Sequence, residues 1–282
     1  MMRSTAIRIL SLLGLAIGLY ACREAKAPEA EALLHEAQAL GLTGAYADAL
    51  ALADSAERIA PANVDILREG TRIKREIRQR EAEHKLIELD SLIRLKDEEA
   101  HEILPIFAKL KNEAYDTQLL YCMPMLLPNR LGARPHLRAM VDSLGVLQLV
   151  SVYTGGGKLN HSAIRLRHSA QDSAYTTPSV VHDDALNYRY NDGMNNWELV
   201  TYRAEVGDSL ALYLQNALAQ EGTFTIDFLS QGATKYRYKL PPAELSALRA
   251  TIKLAKVLGD KQMLIREQTK YARRFARLDK KQ

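Results

Sequence analysis

Leu147-Gln148-Leu149-Val150-Ser151-Val152-Tyr153-Thr154-Gly155-Gly156-Gly157-Lys158-Leu159-Asn160-His161-Ser162-Ala163-Ile164-Arg165-Leu166-Arg167-His168 is the stretch whose reading decides the fold class. Leu147 to Thr154 is apolar and rich in branched side chains, and His161 to His168 alternates apolar with polar residues. Both read as strands, and the three glycines with Lys158 read as a hairpin turn between them. A phosphate-binding loop would need Ser or Thr after the lysine and then a helix. Here Leu159 follows, and after it a strand.

Working downstream, Ser169 to Ser173 is a polar turn, and Tyr175 to Val181 is a weaker strand that Pro178 confines to an edge. Leu186 to Tyr190 and Trp197 to Arg203 flank the loop Asn191-Asp192-Gly193. Asp208 to Ala219 reads as a helix capped by Asp208. In Thr223 to Ser230, Phe224, Ile226 and Phe228 share one face, and Gln231-Gly232-Ala233 turns the chain into Thr234 to Leu240. These segments predict an antiparallel β-sheet domain with one packed helix.

Upstream, prolines 124, 128 and 135 and Gly132 interrupt helices, and before Tyr115 the composition is helical. Val64 to about Ala114 predicts one long charged helix with a narrow apolar stripe (Ile66, Ile73, Ile77, Leu86, Leu89, Ile93, Ile103) that Pro105 should kink or end. Pro241 to about Leu278 predicts a second long helix, with a break near Gly259. Residues 81 to 102 hold eight acids against three bases, whereas residues 249 to 282 hold eleven bases against three acids. Complementary charge makes the two helices antiparallel partners. The fold class is therefore α+β: a helical N-terminal region, a β domain, and a basic C-terminal helix pairing with the long N-terminal one.

Residues 28–40 and 45–59 predict a helical hairpin, turned at Gly41 and Gly44 and closed by Pro61. Ala37, Leu40, Gly44, Tyr46, Ala49, Ala56 and Pro61 resemble a tetratricopeptide repeat, whose small residues let two helices approach closely. A second copy does not follow, so the hairpin must pack on another element.

At the start of the chain, Arg3 and Arg8 precede an apolar run from Ile9 to Leu19 and then Ala21-Cys22. The run is about half the roughly 20 residues that a membrane-spanning helix needs, and the three-part pattern is that of a secretory leader. Leu19-Tyr20-Ala21-Cys22 resembles the lipobox of bacterial lipoproteins, although Tyr20 stands where a small residue is usual. The resemblance implies cleavage before Cys22 and a lipid on its thiol. Cys122 is then the one cysteine left, which forbids an internal disulfide in the mature chain. Thirty-eight Lys and Arg against 34 Asp and Glu leave a net charge of +4; without Arg3 and Arg8 it is +2. That balance argues against a nucleic-acid partner. Five segments are expected: leader 1–21, hairpin 22–63, long helix 64–114, β domain 115–240 and basic helix 241–282.

No catalytic motif stands out, and no metal or other cofactor is expected. His161 and His168, seven apart, would face opposite ways on a regular strand, and His182-Asp183-Asp184 falls in a loop. Lys235, Arg237 and Lys239 alternate with Tyr236 and Tyr238, and Tyr188-Arg189-Tyr190 and Tyr202-Arg203 echo the pattern. Candidate ligand-binding residues are therefore Tyr188, Tyr190, Trp197, Arg203, Lys235 and Arg237, suited to a glycan or an anionic polymer. The simpler reading of that pattern is a solvated basic face over packed tyrosines.

The whole layout resembles a group of Bacteroidota-type outer-membrane lipoproteins, carried mainly by Leu149 to Gly155 with Asn160-His161-Ser162-Ala163-Ile164. The resemblance implies location and architecture, with no activity attached. Arg23-Glu24-Ala25-Lys26 lacks the acidic run that resembles a surface-export tag in related lipoproteins, and no Asp directly follows Cys22, so the resemblance implies the outer membrane facing the periplasm. The expectation is a lipid-anchored, non-enzymatic scaffold that contacts envelope proteins. The alternatives are glycan or peptidoglycan binding, and an enzyme whose site is assembled around His161 and His182.

Overall fold

The fold is given by a computed structural model that describes residues 26–111, 119–168, 173–176, 187–204, 208–220 and 222–279. Cys22 and the leader lie outside these residues, as do His182, Asp183, Asp184 and Pro178. No helix among the described residues is long and apolar enough to cross a membrane. The chain is α+β and divides into two compact units, residues 1–91 with 267–282 and residues 92–266. Two helices are continuous through the division: α3 (Val64–Ile103) and α6 (Pro242–Asp279).

In the first unit, α1 (Ala27–Thr43) and α2 (Tyr46–Ile59) form the expected hairpin, except that Gly41 lies buried within α1 and not in the turn. Gly44 ends α1 with φ 90°, a left-handed turn that costs glycine little. Ala30, Ala37, Ala49, Ala53 and Ala56 are buried with Leu34 and with Ile66, Ile73 and Ile77 of α3. Methyl-sized side chains bring the backbones close, and the α3 isoleucines supply the apolar area that alanine lacks. Asn63 caps α3, its Oδ1 accepting from the amides of Asp65 and Ile66 at 3.1 and 3.3 Å. Lys74 of α3 reaches Asp54 and Glu57 of α2 at 2.9 and 2.8 Å.

The second unit holds two antiparallel sheets where one was expected. The six-stranded sheet runs β1-β2-β3-β4-β8-β7, with β1 (Ala108–Leu110), β2 (Leu120–Cys122), β3 (His136–Asp142), β4 (Leu147–Gly155), β7 (Asn187–Asn191) and β8 (Asn196–Ala204). The four-stranded sheet runs β10-β9-β5-β6, with β5 (Ala163–Arg167), β6 (Ser173–Tyr175), β9 (Thr225–Ser230) and β10 (Ala233–Lys239). The expected hairpin of β4 with β5 does not form. β4 pairs with β3 and β8, β5 pairs with β6 and β9, and residues 156–162 carry the chain from one sheet to the other.

The main core gathers Leu137, Leu149, Val200 and Tyr202 of the first sheet and Ile164, Leu166, Ile226 and Phe228 of the second. Leu214 of α5 (Ser209–Leu218) and Leu245, Leu248 and Ile252 of α6 complete it. The opposite face of the larger sheet is covered around Cys122, Leu126, Leu131, Met140, Val150 and Val152 by a segment that includes the short helix α4 (Pro128–Leu131). Three further expectations change. α3 stops at Ile103 and passes through a 3₁₀ turn at Pro105 into β1, instead of continuing to residue 114. β3, absent from the expected strands, is buried along its whole length and so lacks the alternation of a one-faced strand. α6 runs unbroken past Gly259.

The two long helices do pair, through Lys261 with Asp97 and Lys96 with Asp260 (3.6 Å) in the second unit and Arg274 with Glu81 (3.3 Å) in the first. These partly exposed pairs are worth at most about 1 kcal/mol each and set register rather than stability. The Gly259 backbone is instead the neighbour of a close contact. A Cβ on Gly145, in the β3–β4 turn, would stand 2.3 Å from the Gly259 nitrogen. Gly145 also has φ +86°, so the position admits glycine alone. Gly145→Ala should cost about 3 kcal/mol through backbone strain and overpacking, read as a lower urea midpoint at an unchanged m-value.

Candidate functional site

Ser151 and Glu198 face the core from β4 and β8, where Ser151 lies opposite Val200 in the ladder. The connection between the sheets crosses them, helped by a left-handed turn at Asn160 (φ 54°). Glu198 Oε1 accepts from the amides of Leu159 and Asn160 at 2.6 and 2.8 Å, and Oε2 accepts from the His161 amide at 2.9 Å. Oε2 also lies 2.8 Å from His161 Nδ1, and His161 Nε2 lies 2.8 Å from Ser151 Oγ. With Glu198 ionised, Nδ1–H donates to it. Tyr202 Oη lies 3.3 Å from Ser151 Oγ, and Phe228 stacks on the imidazole at 4.9 Å.

The order serine–imidazole–carboxylate and its distances are those of a hydrolase triad, but the surroundings differ. Ser151 and His161 are 0% exposed and Glu198 1%. β4 lies between β3 and β8, so the amides beside Ser151 are taken up by ladders and leave no donors for an oxyanion. The constellation joins β4, β8 and β9 to the crossing segment. Burial works against the Glu198 charge, but the bonds from His161 and the backbone prevail and hold its carboxyl down at about 2.

Among the candidate ligand residues, Tyr188, Tyr190 and Trp197 come together on the outer face of β7 and β8. Tyr190 and Trp197 are cross-strand partners with parallel rings 5.8 Å apart, and Tyr188 lies 5.4 Å from Tyr190. Trp197 Nε1 donates to Asp192 Oδ2 at 2.7 Å, and Asp192 also receives the amides of Met194 and Asn195. The ring set is thus held by its own turn. Tyr188 is 51%, Tyr190 41% and Met194 83% exposed, at the edge of the sheet. Arg203 is exposed at the far end of β8, roughly 20 Å along the strand from Trp197.

Lys235 and Arg237 belong to the other sheet. Arg237 joins Arg165 and Arg167 on Asp227, a carboxylate that is 0% exposed. Burial raises the pKa of Asp227, but the bonds from Arg237 and Arg165 outweigh it and hold the carboxyl below its usual range. Neither His161 nor His168 sits on β5, so the alternation argument does not apply to them; the His168 ring packs 5.3 Å from Phe224. Burial pushes the Cys122 thiol up to about 11, against the pull of Arg138. Arg138 itself is buried, and its Nε lacks a hydrogen-bond partner. Among the described residues no three His, Cys, Asp or Glu side chains are placed to hold a metal. A cleft of about 790 Å³ is lined by Asp97, Glu98, His101, Glu102, Tyr121, Ser143 and Lys261.

Sequence reading missed Glu198 and Ser151 as partners of His161, because they are 37 and 10 residues away and meet only once two sheets form. Comparison with family models, with curated proteins and with solved structures returns no match to this chain.

The low Glu198 value means that its contribution is complete above about pH 5, where an unfolded glutamate is ionised, and is lost as pH falls toward 2. Glu198→Ala should cost about 3–5 kcal/mol near pH 7, because three buried amides and an imidazole lose their acceptor. Ser151→Ala should cost only about 1 kcal/mol. Denaturant titrations of both variants should show the Glu198→Ala deficit constant from pH 7 to 5 and shrinking below that.

Proposed function

We propose that the chain is a lipid-anchored protein of the cell envelope that acts as a non-enzymatic interaction module. The observation that carries this reading is the aromatic edge: Tyr188, Tyr190, Met194 and Trp197 gathered on an outer strand. Leaving such rings in water is unfavourable, and tyrosine and tryptophan are enriched where proteins meet partners. Their pre-set arrangement lowers the ordering cost of contact. The burial of Ser151 and His161 supports binding over catalysis. The lipobox-like Leu19–Cys22 supports a lipid anchor, and Arg23-Glu24-Ala25-Lys26, with no acidic run and no Asp directly after Cys22, supports the outer membrane facing the periplasm.

A glycan ligand is the second reading, favoured by the parallel Tyr190 and Trp197 rings beside Asn191 and Asn196. A photo-reactive residue at position 188, compared with one at the exposed Leu42, separates the two in intact cells. One dominant envelope protein captured from 188 and not from 42 is the expected result. Glycan adducts alone would replace the first reading with the second, and equal capture from both positions would remove both.

A further inference from the structure

The outer face of the four-stranded sheet has a charge imbalance that the fold does not require. Ile164, Leu166, Ile226 and Phe228 point into the core, so alternation turns Arg165, Arg167 and Asp227 outward, and Arg237 and Lys239 join them through the β9–β10 register. Lys235 is exposed at the irregularity between Thr234 and Tyr236. Asp227 is the only acid among the described residues of these four strands, set against Arg165, Arg167, Arg237, Lys235 and Lys239.

Neutralising one buried carboxylate takes one arginine, and here three converge. Asp227 Oδ2 accepts from Arg165 Nε at 2.9 Å, and Oδ1 accepts from Arg237 Nε at 2.7 Å and from Arg167 at 3.2 Å. Arg165 also donates to Thr234 Oγ1 at 3.2 Å; a guanidinium carries five N–H donors and a carboxylate accepts about four bonds, so Asp227 cannot take up all the donors that Arg167 and Arg237 add. Arg237 is 58% exposed, whereas the Arg167 side chain is 21% exposed with its Nε buried, so Arg237 presents most of the cluster's accessible guanidinium. The buried carboxylate fixes guanidinium positions in advance, which lowers the cost of ordering long side chains when an oxyanion arrives.

We propose that this face binds the phosphate groups of an anionic membrane surface. Phosphate matches guanidinium geometry through paired oxygens. Cations on neighbouring strands, about 4.8 Å apart, and on alternate residues along a strand form a flat array, and such an array fits a field of headgroups better than one enclosed ion. The lipid anchor proposed above bears only on where those phosphates come from.

The test is co-sedimentation of the chain from residue 22 onward, carrying Cys22→Ser so that no lipid is added. Mixed phosphatidylcholine–phosphatidylglycerol vesicles are compared with pure phosphatidylcholine, with and without inorganic phosphate as competitor. Binding to the anionic vesicles alone is expected. Arg167→Gln with Arg237→Gln should weaken it roughly 30-fold, at about 1 kcal/mol per cation near such a surface. Lys235→Gln with Lys239→Gln, which touch neither Asp227 nor the core, should weaken it by a similar factor and cover the case in which the arginine variant misfolds. Lys270→Gln with Arg273→Gln on α6 should leave it unchanged. Asp227→Asn should weaken binding despite the added positive charge, because the arginines lose their common acceptor. Failure to bind anionic vesicles, an equal loss from the α6 variant, or tighter binding by Asp227→Asn would overturn the proposal. If Cys22 proves unacylated, the anchor reading fails and this result still stands.

Discussion

The second unit depends on the carboxylate of Glu198. A chain that leaves one sheet and enters another must carry its backbone through the core between them, where unpaired amides cost more than most side-chain contacts return. Glu198 accepts three consecutive amides of that crossing segment and the imidazole of His161. His161 then reaches Ser151 on β4 and stacks on Phe228 of β9, so one side chain on β8 ties both sheets to their connection.

Charge does three different jobs in this chain, and burial decides which. At Glu198 a buried carboxylate is fully satisfied and its loss is expensive. At Asp227 a buried carboxylate collects more cations than its charge requires, and the excess faces outward. Along α3 and α6 the pairs are partly exposed, so they select register and add little stability. Where α6 passes the β3–β4 turn, Gly145 lies too close to the Gly259 backbone to carry a side chain.

Much of this architecture is legible in the residues because it follows from local periodicity. The α1–α2 hairpin, the two long helices with opposite charge, β4, and the strands β7 and β8 around Asn191-Asp192-Gly193 all follow from spacing and turn chemistry. The same holds for the buried Phe224, Ile226 and Phe228. What is not legible is long-range. Gly155-Gly156-Gly157 has the composition of a hairpin turn, and nothing nearby reveals that β4 and β5 take partners in different sheets. β3 hides because a strand covered on both faces loses its alternation. The ligand candidates divide for the same reason: Tyr188, Tyr190 and Trp197 are joined by one hairpin, whereas Arg237 meets Arg165 only through the intervening Asp227 on β9. His161 stood out in the sequence, but its partners are set by the topology.

The most direct test of this account is native-state hydrogen exchange at the amides of Leu159, Asn160 and His161. If Glu198 organises the crossing between the sheets, these three amides open only with the unit as a whole and match the protection of the β4 ladder around Leu149 and Val150. Exchange at the rate of an open loop, with β4 still protected, would contradict it.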